Sequence, residues 1–123
     1  MYPLHRTIAG DMTMTQHARD LDHAVGLIPD GVCVEAADNA VPHLTARTHV
    51  GLHGDIGDEL ATWMIVDTSV PELGGWDPLT PEQALARAER LGFERVWSAG
   101  DVVVLHHPDR AVSPTCTTYL EHR

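Results

Sequence analysis

The sequence predicts a three-layer, Rossmann-like α/β domain with about five strands, mostly parallel and closed by an antiparallel hairpin at its C-terminal edge. Three observations carry the prediction. The stretch from Val32 to His53 reads as strand, polar turn, short helical turn and strand. A well-capped helix lies between residues 80 and 92, and two apolar runs near the C-terminus are joined by only Ala99-Gly100-Asp101.

Residues 1–12 show no period and are expected to form an arm ahead of a single domain over 13–107. From Thr13 onward, Met14, Ala18, Leu21, Val25 and Ile28 recur at the spacing of one helix face. Pro29-Asp30-Gly31 is a turn signature that ends this helix. In the strand that follows, Val32, Val34 and Ala36 alternate with Cys33, Glu35 and Ala37. Asp38-Asn39 interrupts it, because both side chains compete for backbone hydrogen bonds. After Pro42-His43-Leu44, alternation resumes from Thr48 to His53. Thr62 to Asp67 is apolar almost throughout, as expected of a strand covered on both faces.

Thr80 fits a helix cap, Pro81 the first helical position, Gln83 the capping box and Gly92 the left-handed stop. Ala84, Leu85, Ala88 and Leu91 form the expected buried stripe. Strands are expected at Phe93–Ser98 and Val102–His107, and so short a link between them demands an antiparallel hairpin. The tail, 108–123, carries Pro, Ser and Thr and is expected to pack loosely.

A chain of 123 residues holds one domain and one core. Its net charge of −10 argues against nucleic acid and against anionic membrane surfaces as partners. The eight basic residues are all arginine, which excludes lysine Schiff bases, a P-loop lysine and a phospho-acceptor receiver site. No apolar stretch approaches the ~18 residues of a membrane helix. The first residues also lack the apolar core of a signal peptide. Taken literally, these features make the chain cytoplasmic. Cys33 and Cys116 form no C-x-x-C motif or zinc pattern. A bridge between them would suit an oxidising compartment, and sequence separation leaves their pairing open.

The nine histidines raise the question of a metal. His49 and His53, four apart on a strand, would lie ~13 Å from each other and could not share an ion. His106 and His107 would point to opposite faces of theirs. Solvent-facing or hydrogen-bonded histidines are expected instead, with no metal and no cofactor. Trp63, Trp76 and Trp97 are expected to pack rather than stack on a ligand, with Trp76 the most exposed. No standard nucleotide, nucleophile-elbow or zinc-protease motif is present.

Polar residues do gather at the expected carboxyl ends of the strands, where open α/β sheets bind ligands. Asp38 and Asn39 follow the first strand, His53 and Asp55 the second, Asp67 and Thr68 the third. They are expected to serve as caps and turn formers. A crevice at Asp38, His53 and Asp67 that binds a polar ligand or works as acid and base is the alternative.

The run Leu27-Ile28-Pro29-Asp30-Gly31-Val32-Cys33-Val34-Glu35-Ala36, with Asn39-Ala40-Val41-Pro42-His43-Leu44-Thr45-Ala46-Arg47 after it, resembles a known pattern. It is similar to the C-terminal soluble segment of a bacterial polytopic membrane-protein family laid out like the GT-C glycosyltransferases, which use lipid-linked sugar donors. The resemblance covers roughly residues 15 to 107 and extends to the strand ending in Asp67. It implies a non-catalytic extracytoplasmic accessory domain, anchored through a parent membrane segment that is also its partner. That domain would support glycosyl transfer or help recognise the acceptor. Asp38, Asn39, His43 and Arg47 match the motif and, with His53 and Asp67 of the crevice, form the candidate ligand-binding set. No position matches the family's catalytic carboxylates, so no catalytic residue is assigned.

Overall fold

The computed structural model describes the backbone of residues 4–75 and 77–121 and the side chains of residues 16–75 and 77–117. Helix α1 (Leu4–Leu27) leads through Pro29-Asp30-Gly31 into β1 (Cys33–Ala36). A single 3-10 turn, Val41–His43, precedes β2 (His49–Leu52), and β3 (Trp63–Asp67) follows. Helix α2 (Pro81–Leu91) leads into the hairpin of β4 (Glu94–Ala99) and β5 (Val102–His106), after which comes α3 (Pro114–Glu121).

The strands form one open mixed sheet in the order β2-β1-β3-β5-β4. Strand β1 pairs in parallel with β2 and β3, whereas β5 is antiparallel to both β3 and β4. Four strands therefore share one direction and β5 alone is reversed. Sequence explains which hairpin strand lies inside. The run Val102-Val103-Val104-Leu105 is buried, while Glu94, Arg95 and Val96 of β4 are exposed at the edge.

Both faces of the sheet carry a core. Val34, Ala36, Ile65, Val102 and Val104 meet Leu21, Ala24, Val25 and Ile28 of α1. The alternate residues Met64, Val66, Val103 and Leu105 meet Ala84 and Ala88 of α2, with Phe93. Helix α2 has the caps its sequence specifies. Thr80 and Gln83 complete the reciprocal capping box, and Gly92 takes the left-handed stop at φ 99°.

Several expectations need correction. The helix starts at Leu4, inside the span expected to be an arm, because no proline lies between Leu4 and Thr13 and Gly10 is the poorest helix former there. Ala18 is exposed, and Ala24 takes its place in the buried stripe. Leu85 and Leu91 are half-buried, whereas Arg87 is buried. The segment expected to be loose contains α3, and its Cys116 is bonded to Cys33 with a Cα–Cα distance of 5.1 Å. A polar composition reads as loop, and a partner 83 residues away leaves no local signal.

Aromatic packing absorbs several histidines. His106 lies against Trp63 at 4.4 Å between ring centroids, His23 against Trp97 at 4.7 Å, and His107 edge-on to Phe93 at 5.2 Å. Trp76 lies outside the described residues. Among the described residues no helix is long and apolar enough to cross a membrane.

Candidate functional site

The chain leaving β1 turns toward β2, while the chain leaving β3 runs to α2 and then β4 on the opposite side of the sheet. Such a divergence between adjacent parallel strands opens a crevice at their carboxyl ends. Here it is a groove of about 280 Å3 lined by Asp38, Asn39, Val70 and Glu72. Asp38 is exposed on its rim, and its backbone N–H donates to Leu73 O. Gly74, at φ 96°, lies so close to Asp38 that a β-carbon there would sit 2.9 Å from the aspartate's own.

Behind the groove is Asp67, which is fully buried. One carboxylate oxygen accepts from the Ser69 hydroxyl at 2.6 Å and the Ser69 N–H at 2.9 Å. The other accepts from Asn39 Nδ2 at 2.9 Å and from His17 Nε2, on α1, at 3.0 Å. Burial alone would raise the carboxyl's pKa. The hydrogen bonds from Ser69 and Asn39, with His17 beside it, outweigh burial and hold it below its ordinary value. Asp67 is thus an ionised anchor that ties α1, the loop after β1 and the loop after β3 to one point.

Arg47 has a different task. Its guanidinium donates to the carbonyls of Val25 and Ile28 and to Asp30 Oδ1, at 3.0, 2.9 and 2.7 Å. It thereby caps the C-terminal end of α1, where carbonyls lack helical partners and positive charge is favoured. His43 is exposed on the 3-10 turn and borders a shallow groove with Ala18, Arg19, Leu21 and Asp22 of α1.

His53 is not among the residues that line the groove. Its ring is buried, and Nε2 lies 2.8 Å from Ile65 O, so that nitrogen carries the proton and donates. Burial, opposed by the Ile65 bond and assisted by the Arg87 charge, pushes its pKa down to about 4. No hydrogen bond links His53 to Asp67.

A second buried polar cluster lies on the α2 side of the sheet. Glu35, fully buried in β1, receives Arg87 through both oxygens at 2.6 and 3.3 Å and the Gly54 N–H at 3.0 Å. Arg87 also reaches Asp58 at 2.9 Å and Gly57 O at 3.2 Å, so the loop after β2 is fastened to α2. Sequence reasoning passed over both residues. The available signal was a glutamate within a strand covered on both faces, facing an arginine three residues after Ala84 in the buried stripe.

Among the described residues no group of three or more His, Cys, Asp or Glu side chains is placed to hold a metal. Comparisons with protein-family models, with curated proteins and with solved structures find no match. Fold and site together define a mixed α/β domain in which Asp67 and the Glu35–Arg87 pair are held by hydrogen bonds, while His53 Nδ1 and the Thr62 hydroxyl are buried without a partner among the described residues.

Proposed function

We propose that this chain is a non-catalytic extracytoplasmic accessory domain of an integral membrane protein resembling the GT-C glycosyltransferases, and that its layers are arranged in a Rossmann-like manner. The parent membrane segment would be its partner and its anchor. The observation that carries the reading is the Cys33–Cys116 bridge, both of whose residues are fully buried. Disulfides of this kind belong to oxidising compartments. The engaged polar groups also favour a non-catalytic role. Asp67 is saturated by four donors, Glu35 by Arg87 and Gly54, and Arg47 by the end of α1. None is left as a poised acid, base or nucleophile.

A second reading rests on the groove at Asp38, Asn39, Val70 and Glu72, whose position between β1 and β3 suits a small polar ligand or a stand-alone enzyme. An immunoblot of fractionated source cells separates the two. The accessory-domain reading expects a membrane-fraction band well above 13.5 kDa. A soluble band near 13.5 kDa would overturn it and direct attention to the groove.

A further inference from the structure

The bridge does more than mark a compartment. Among the residues whose side chains the structure describes, neither apolar core contains one beyond Leu105. Among residues 106–117, whose exposure the structure describes, Cys116 alone is buried. Besides its bridge to β1, α3 has its most extensive contact with the edge strand β2. An eight-residue helix is far below the length at which helices hold themselves together in water. Its threonines at 115, 117 and 118 lower its propensity further.

We infer that the disulfide is a latch: its formation docks α3 against β2, and its opening releases α3 while the two-faced sheet domain stays folded. The domain would then complete its fold only after oxidation, which deepens the extracytoplasmic reading and takes the compartment from it. In the closed state α3 covers part of an edge strand, the kind of surface that otherwise recruits another strand.

Opening requires a dithiol. One of its thiolates attacks a protein sulfur, the Cys33–Cys116 bond breaks, and the other cysteine leaves as a thiolate. The second thiol of the reagent then displaces the mixed disulfide. The protein gains two electrons and two protons, and the dithiol becomes its cyclic disulfide. Closing is the reverse exchange with an oxidising disulfide. Both sulfurs are buried, so the dithiol reaches them through transient local opening around the intact bridge.

The test is amide hydrogen exchange on the full chain in three forms: oxidised, reduced with dithiothreitol, and Cys116→Ala. Expected is a loss of protection of about tenfold or more across α3 in the last two forms, with β1, β3 and β5 still protected. Equal protection of α3 in all three forms would overturn the latch. So would simultaneous loss of protection in α3 and the sheet, which would make the bridge a support of the whole fold. The compartment reading is read separately, from the oxidation state of the cysteines in source cells.

Discussion

Glu35 and Arg87 illustrate how a single pair of residues decides stability here. Both are withdrawn from water, and each satisfies the other along with loop groups at Gly54, Gly57 and Asp58. Removing one member leaves a buried charge without its counterion. Arg87→Met is therefore expected to destabilise the domain by about 3–5 kcal/mol. The double variant Glu35→Leu/Arg87→Met should lose less than the sum of the single variants. Urea denaturation of the full cycle measures this, and additive losses would show the pair to be uncoupled. His53 makes a pH prediction. Its pKa is 6.5 in the unfolded chain and about 4 when folded. Between these values the unfolded state takes up a proton that the folded state does not. Stability then falls as pH drops from 6.5 to 4, by roughly 3 kcal/mol in total, and this group adds nothing further below that. Asp67, with a depressed pKa, continues the loss at lower pH as its carboxylate is protonated. His53→Gln, which keeps a donor for Ile65 O without titrating, should flatten the slope between pH 6.5 and 4 in denaturation series.

At the scale of elements, the ends of the helices show most directly what the sequence encodes. Thr80→Ala removes one half of the α2 capping box and is expected to cost about 1 kcal/mol. Arg47→Met removes three charged hydrogen bonds from the end of α1 and its turn, and should cost about 1–3 kcal/mol. Its effect should appear first as faster exchange in the last turn of α1. The α2 cap was legible because Thr80, Pro81, Gln83 and Gly92 are local signals at fixed spacing. Strands β1, β2, β3 and β5 and the 3-10 turn at Val41–His43 were legible for the same reason. The role of Arg47 was not, since the carbonyls that it caps lie about twenty residues upstream in sequence and become neighbours only in the fold. Likewise Asp38, Asn39 and Asp67 were identifiable as residues at strand ends. The bond of His53 to Ile65 O was not, because the pairing of β2 and β3 with β1 is what brings the two together. The missed buried pair shares that cause: Glu35 and Arg87 are 52 residues apart.

For the molecule as a whole, the bridge between β1 and α3 is the longest covalent constraint, closing a span of 83 residues. In the chain-entropy model a loop of that size restricts the unfolded state by about 4–5 kcal/mol. Cys33→Ala/Cys116→Ala should therefore lower stability by a few kcal/mol while leaving the sheet assembled around its two cores. Both the latch and the extracytoplasmic placement require that the bridge exist where the protein works. The measurement that tests it most directly is trapping of the thiol state in intact source cells. Cells are quenched in acid, and the protein is denatured and treated with a polyethylene-glycol maleimide, with and without prior reduction. Reduction is predicted to add two adducts that the Cys33→Ala/Cys116→Ala variant lacks. Finding those same two adducts without reduction would mean that Cys33 and Cys116 are free thiols in the cell. That result would contradict both the bridge and the extracytoplasmic placement drawn from it.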